Sequence, residues 1–289
     1  ASSGGIVTQL LLAALDAGLI DSALVTRMSQ NEPLRPEPFL ARTVSEIAEA
    51  ATSKYCPVPA NLALRQVLTT EARSVAVVGL PCHLRGVRLA MRHSPALARK
   101  VSYLVGIFCS HGDSTHGTEF VLRRSVGSPE GVESFSYRGD GWPGGISVLT
   151  RQGSGARVPL NTPLWRAFHD SLFFCPSACL RCADLAAEQA DVSCGDAWLP
   201  EVMARERDGE SVVVTRTDAG GSLVKAAMGA GVVDLAPLDP RKVVQSQAKF
   251  VHYKKVNYHD RRGSELPRGS ERPSRGVLGN RIVAGLVRS

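Results

Sequence analysis

Three thiols fall within eight residues in Cys175-Pro176-Ser177-Ala178-Cys179-Leu180-Arg181-Cys182, a density that points to ligation rather than to packing. The C-x2-C unit of Cys179 and Cys182 is shared by zinc and iron-sulfur sites. A structural zinc ion calls for a second close Cys/His pair, and His111, His116 and His169 lack a regular partner spacing. An iron-sulfur cluster accepts thiolates from scattered positions, which makes it the better reading, with three unrelated core thiols as the bland alternative. The ferredoxin run C-x2-C-x2-C-x3-C-P does not occur. This segment therefore supplies four ligands only if Cys194 folds back; otherwise thiols must come from elsewhere.

The elements around Cys82 and Cys109 offer them. Ser74-Val75-Ala76-Val77-Val78-Gly79 is a β-branched apolar run ending in glycine, as in a buried parallel strand. A helix over Leu84 to Arg92 and a strand over Val101 to Phe108 complete a β-α-β unit. Parallel strands point one way, so Cys82, just past the first, and Cys109, at the end of the second, share the carboxyl edge where open α/β sheets bind ligands. For each the bland reading is a buried small side chain.

Elsewhere, Ile6 to Ala17 reads as a helix, Ala23 to Met28 as a strand, and Glu32 to Pro38 as loop by its prolines. Thr43-Val44-Ser45-Glu46 offers a capping box, and Ala60 to Thr69 a further helix. Val132 to Arg138, Ile146 to Arg151 and Ala156 to Leu160, separated by glycine turns, predict antiparallel hairpins. Thr162 to Leu172 and Ser222 to Ala230 read as helices, Glu210 to Arg216 as a strand, and Val277 to Leu286 as a short helix. The expected fold class is α/β: a parallel-sheet lobe with an antiparallel β-rich layer and a cysteine-rich segment. The expected division is an N-terminal lobe over residues 1–127, a C-terminal α+β lobe over 128–262 and a basic flexible tail over 263–289.

Composition bounds the function classes. A chain of 289 residues with 44% hydrophobic and 21% charged residues is an ordinary folded protein. The formal charge of +7 is concentrated between Arg241 and Arg288, including Lys254-Lys255, which reads as a solvated tail. Without an aromatic-studded basic repeat, nucleic acid is not an expected partner. The most apolar stretch, Ile6 to Ile20, is interrupted by Thr8, Gln9, Asp16 and Gly18, so no transmembrane segment is expected. Seven cysteines without a secretory signature favour metal or redox use over disulfides, and a cytoplasmic location.

Further motifs have two readings each. Ser2-Ser3-Gly4-Gly5 before a helix suits a phosphate or is a flexible N-cap. Arg138-Gly139-Asp140-Gly141-Trp142-Pro143-Gly144-Gly145 offers a cation and an aromatic plane to flank a ring system, or is a hairpin turn. Asp196 orients a cofactor or caps a turn. Lys54 neutralises an anionic ligand or is a surface lysine, and Cys56 reads as a plain buried thiol.

In this order the motifs resemble the beta subunit of coenzyme F420 hydrogenase and its dehydrogenase relatives, including F420-linked formate dehydrogenase beta chains and 7-hydroxymethyl chlorophyll a reductases. The resemblance runs from Ser3 to about Tyr258. It is carried by Ser3-Gly4-Gly5 with Thr8, Ser53-Lys54-Tyr55, Gly79-Leu80-Pro81-Cys82-His83, Phe108-Cys109, Tyr137-Arg138-Gly139 with Trp142-Pro143-Gly144, Cys179-x2-Cys182, and Ala190-Asp191-Val192-Ser193 with Gly195-Asp196-Ala197-Trp198. It implies an oxidoreductase with FAD in the N-terminal lobe and a 4Fe-4S cluster bound by Cys82, Cys109, Cys179 and Cys182. It also implies coenzyme F420 or ferredoxin as donor, and a hydrogenase, formate dehydrogenase-like or ferredoxin partner. The ferredoxin-like module that many relatives carry in front is absent from these residues, as expected of a fragment. A ferredoxin-fed reductase of a tetrapyrrole and a zinc-stabilised binding protein are the competing expectations.

Overall fold

The computed structural model describes residues 4–205, 208–256 and 283–288. Its core is a parallel arrangement of β1 (Ser22–Met28), β3 (Val75–Gly79), β4 (Val101–Ile107) and β8 (Val192–Asp196), in the spatial order β8-β4-β3-β1. Side chains alternate between two apolar layers, as a period of two requires. Ala23, Val25, Ala76 and Val105 face the helices Ile6–Asp16 and Asp218–Gly229. Leu24, Val75, Val77 and Leu104 face the helices Leu64–Thr69, Pro81–His93 and Pro95–Lys100. Each fully buried leucine here, such as Leu10, Leu84 or Leu104, contributes about 1.5–3 kcal/mol of transfer free energy. The predicted β-α-β unit forms, and its strands end together at Gly79 and Ile107.

Antiparallel strands extend the sheet on both sides. β2 (Pro36–Ala41) pairs with β1, placing Pro36 opposite Met28 and Pro38 opposite Thr26. The expected loop over Glu32 to Pro38 is thus corrected. β2 is the sheet's outer strand, where a missing N–H can face away from the ladder, so its prolines are tolerated. On the other side β9 (Ser211–Thr215) pairs with β8, followed by β11 (Val283–Arg288) and β10 (Asp234–Leu238). The helix expected over Val277 to Leu286 is corrected for its described part. Residues 283–288 form a strand filling the gap between β9 and β10, where two ladders satisfy its backbone. The rest of the tail call, residues 263–282, lies outside the described residues.

The antiparallel layer forms as expected from β5 (Val132–Gly139), β6 (Gly145–Thr150) and β7 (Gly155–Pro159). It packs on the helix Thr115–Ser125 through Val121, Leu122, Tyr137, Ile146, Trp165 and Phe168. The layer starts close to the expected boundary at residue 127. Beyond it, however, the chain does not stay apart as a second lobe, because β8 and β9 return to the first sheet. Asp191 secures that return: its carboxylate accepts from the Leu104 N–H at 2.8 Å, Arg88 at 2.8 Å and Thr217 at 2.9 Å.

No helix among the described residues is long and apolar enough to cross a membrane.

Candidate iron-sulfur and cofactor site

The carboxyl ends of β3, β4 and β8 lie on one edge, and that edge gathers the cysteines. Cys82 is the second residue of the helix Pro81–His93, with Pro81 fitting the first position where an N–H would be unpaired anyway. Helix start and strand end are pressed together: a side chain on Gly79 would sit 3.0 Å from the His83 Cβ. His83 accepts from the Leu80 N–H through Nδ1 at 3.4 Å, and burial lowers its pKa. Cys109 follows β4 after Phe108, whose N–H bonds to the Cys194 carbonyl at 2.8 Å. Gly195 makes room for that turn, since a Cβ there would meet the Phe108 ring at 2.3 Å.

The segment carrying Cys179 and Cys182 is tied down from both sides. The Ser114 N–H donates to the Phe174 carbonyl at 2.8 Å and the Cys109 N–H to the Leu185 carbonyl at 2.9 Å. Burial pushes the Cys109 thiol up to about 12; Lys254 opposes this, while Cys179, Cys82 and Cys182 reinforce it. Cys82 is likewise raised by burial and then by Cys179 and Cys182. Cys82, Cys109, Cys179 and Cys182 therefore lie within electrostatic reach of one another. Cys175, pushed to about 12 by burial, interacts with Cys179. Cys194 is buried within β8, in the core layer beneath the first helix, and Cys56 is buried under the antiparallel layer.

The spacing of these sulfurs bears on what they hold. Tetrahedral zinc with Zn–S bonds near 2.3 Å brings its sulfurs to roughly 3.8 Å of one another. Among the described residues no three cysteine sulfurs lie within 4.8 Å of one another. The four thiols are thus set wider apart than the ligands of a closed zinc site, a spacing compatible with a multi-iron centre. His111, Asp113 and His169 do come that close, and all three are buried. Their geometry is that of a hydrogen-bonded triad. The His169 Nδ1 lies 2.6 Å from Asp113, the His111 Nε2 donates to the His169 carbonyl at 3.0 Å, and the two rings stack at 4.2 Å with a 19° tilt. An ion must lie in the plane of each imidazole, and nearly parallel planes do not offer it two such nitrogens. Burial keeps His111 neutral, pushing it down to about 3.

Arg138, Trp142 and Asp196 meet at the same edge, at the end of β8. Arg138 is 2% exposed and donates to Asp196 at 2.8 and 3.2 Å and to the Pro143 carbonyl at 3.1 Å. Trp142 donates through Nε1 to Asp196 at 2.9 Å and stacks on Trp198 at 5.0 Å. Tyr55 bonds to Arg138 as well. Burial opposes the guanidinium charge, but Tyr55 and Asp196 outweigh it and hold Arg138 above its usual range. These groups lock the β5–β6 hairpin, with Gly144 in its turn at φ 76°, onto the parallel sheet. Arg138 and Trp142, read from sequence as flanking a ring system or forming a hairpin turn, thus both hold Asp196 at the hairpin's foot.

Gly4 and Gly5 both adopt positive φ, 64° and 67°, and no side chain caps the helix that follows. That helix runs back to β1, so its positive end, with Thr8 on the first turn, sits at the carboxyl edge; Ser3 lies outside the described residues. Lys54, expected to meet an anionic ligand beside Ser53, instead points its ammonium at the carbonyls of Ala50, Ala51 and Thr52 at 2.6, 2.8 and 3.0 Å. All three of its donors are used, closing the end of the helix Val44–Glu49, whose predicted capping box forms at the other end.

Burial lowers the Lys54 pKa to about 8. The unfolded chain then holds the proton up to its ordinary value of 10.5 while the folded one releases it earlier, so stability gains as pH rises between these values. Relative to Lys54→Met, the wild type should gain about 2 kcal/mol from pH 7 to pH 10 in urea melts. A constant difference would show that the ammonium is solvated.

Lys254 is the residue the sequence reading missed. Expected in a solvated basic run, it is buried beside Cys182, and nothing in the spacing of Lys254-Lys255 distinguishes it from its exposed neighbour.

Comparison with known proteins agrees with the geometry. Residues 1–65 match the family described as coenzyme F420 hydrogenase/dehydrogenase, beta subunit N-term, and residues 72–241 match its C terminus. The chain belongs to this family. Membership makes it an oxidoreductase, as the resemblance of its motifs implies. Over 248 residues it is 32% identical to the coenzyme F420 hydrogenase subunit beta of Methanothermobacter thermautotrophicus, covering 84% of this chain and 80% of that protein. It is 28% identical to the coenzyme F420-dependent sulfite reductase of Methanocaldococcus jannaschii, covering 91% of this chain and 40% of the larger relative. A chain of the F420-reducing [NiFe] hydrogenase complex from Methanosarcina barkeri shares the fold, with a TM-score of 0.69 and 24% identity over 94% of this family member and 90% of that chain.

Proposed function

We propose that this chain is an iron-sulfur flavoprotein that exchanges electrons between reduced coenzyme F420, or ferredoxin, and a partner protein of the hydrogenase or formate dehydrogenase type. The observation that carries the reading is that Cys82, Cys109, Cys179 and Cys182, from three separate segments, come close enough for their charges to act on one another. These four would hold a 4Fe-4S cluster. FAD would lie at the carboxyl edge by the first helix, where Gly4 and Gly5 leave the N–H groups of the first turn without a side-chain cap, an arrangement suited to a phosphate oxygen.

A flavin bound beside a cluster couples hydride donors to one-electron carriers. The protein's own part is positional. The Arg138–Asp196 pair fixes the hairpin over the edge, and Cys82, exposed at the helix start, brings the thiol set to the surface where a partner can approach. The names of the relatives support F420 as the organic donor.

Anaerobic reconstitution followed by iron, sulfide and flavin analysis tests the reading. About four irons with matching acid-labile sulfide and bound FAD are expected per chain. Stoichiometric zinc without sulfide would overturn the cluster, and no flavin after incubation with FAD would overturn the flavoprotein assignment.

A further inference from the structure

We propose that Lys254 is a built-in counter-charge of the thiol set, which raises the reduction potential of the bound iron-sulfur centre and so makes it the better electron acceptor; this rests on the cluster reading above. Lys254 is 1% exposed. Its ammonium donates to the Asp184 carbonyl at 2.8 Å and lies 3.5 Å from the Cys182 sulfur, within hydrogen-bond range for sulfur. Among the described residues no carboxylate lies within ion-pair distance of it, in contrast to Arg138, which has Asp196, and Lys255, which has Glu188.

A buried ammonium without a carboxylate is costly, and a protein keeps one where another anion answers it. The Cys182 sulfur is the anion in hydrogen-bond range, and the Asp184 carboxylate adds its charge from beyond ion-pair distance. The charge of Lys254 also acts on Cys109 and Cys175. One cation thus acts on thiols from both the β4 edge and the 175–182 segment. Its position is fixed by the helical turn His252–Val256, far along the chain from the cysteines it serves.

The sign of the effect follows from charge. The step is the arrival of one electron on the centre from the flavin or another reduced donor; no bond forms or breaks, and the centre becomes more negative. A fixed cation stabilises the reduced form more than the oxidised one, and hydrogen bonds to the sulfurs and net charge are the levers that set such potentials. Water is excluded from Lys254, so its field is screened less than that of an exposed lysine. Lys254 acts through the ligand sulfurs and touches no substrate.

The test is an EPR-monitored redox titration of reconstituted wild type, Lys254→Arg and Lys254→Met, each with its iron content measured. Lys254→Met should shift the midpoint to more negative potential by about 59 mV, a tenfold change in the reduced-to-oxidised ratio at a fixed poise. Lys254→Arg should stay near the wild type. An unchanged midpoint in Lys254→Met at full iron content would overturn the proposal while leaving the cluster reading intact; a wild type that assembles no cluster would remove both. Should the substitutions fail to fold or to hold iron, wild type grown on ¹⁵N-lysine decides by pulsed EPR. A lysine nitrogen coupled to the reduced centre is expected, and its absence would overturn the assignment.

Discussion

Cys179→Ser should lose most of its iron and, with it, electron delivery to a protein acceptor, while reduction of the flavin by its donor persists. The Cys179 sulfur acts on both Cys82 and Cys109, which makes it a junction of the set. Changing a residue that only supports a metal ligand costs roughly 10–100-fold in metal affinity or activity, so removing a ligand should exceed that. Cys109→Ser should behave likewise. Cys56→Ser is the control, because Cys56 lies under the antiparallel layer in a cluster that holds none of the other cysteines. Equal iron in all three variants would mean the ligands are wrongly assigned. Full turnover with a bulky protein acceptor in iron-free Cys179→Ser would refute the relay.

The second large effect concerns stability. Asp196→Ala leaves Arg138 charged, almost wholly buried and without its carboxylate, a loss of the kind that costs about 3–5 kcal/mol. It also deprives the Trp142 indole of its acceptor. The expected drop in melting temperature is roughly 10 °C for a chain of this size. Arg138→Met added to Asp196→Ala should recover a large part, because the stranded charge is gone. Denaturant melts of the two single variants and the double variant give the coupling directly. A cost below about 1 kcal/mol for Asp196→Ala would show that the hairpin is held by its apolar contacts alone.

Of the parallel strands, β3 and β4 were legible because they are short apolar runs that lead into glycine or cysteine, and the shared edge of Cys82 and Cys109 followed from strand direction alone. β8 was not legible: Val192-Ser193-Cys194-Gly195-Asp196 mixes small and polar residues, and its place between β4 and β9 depends on the buried Asp191 contacts. β2 was hidden by its prolines, which only its outer position excuses. At the site, residue type announced the thiols, whereas the environments of lysines are made by distant segments. Lys54 closes a helix end and Lys254 sits against sulfur, yet in sequence the first reads as an anion-neutralising or surface lysine and the second as part of a solvated basic run.

The insertion of the antiparallel layer between β4 and β8 also dictates an order of assembly. The two strands are neighbours in the sheet but are joined only through the long excursion from Phe108 to Asp191, and Cys179 and Cys182 travel with the distal side of that loop. Closing so long a loop carries an entropic cost, and such pairings are slow to form. During synthesis, when N-terminal parts fold first, the growing chain would display Cys82 and Cys109, half of the proposed thiol set, well before the other half can dock. Under that proposal, iron delivered at that stage would meet two thiols and open water, and the full set would be on offer only once β8 has zipped onto β4.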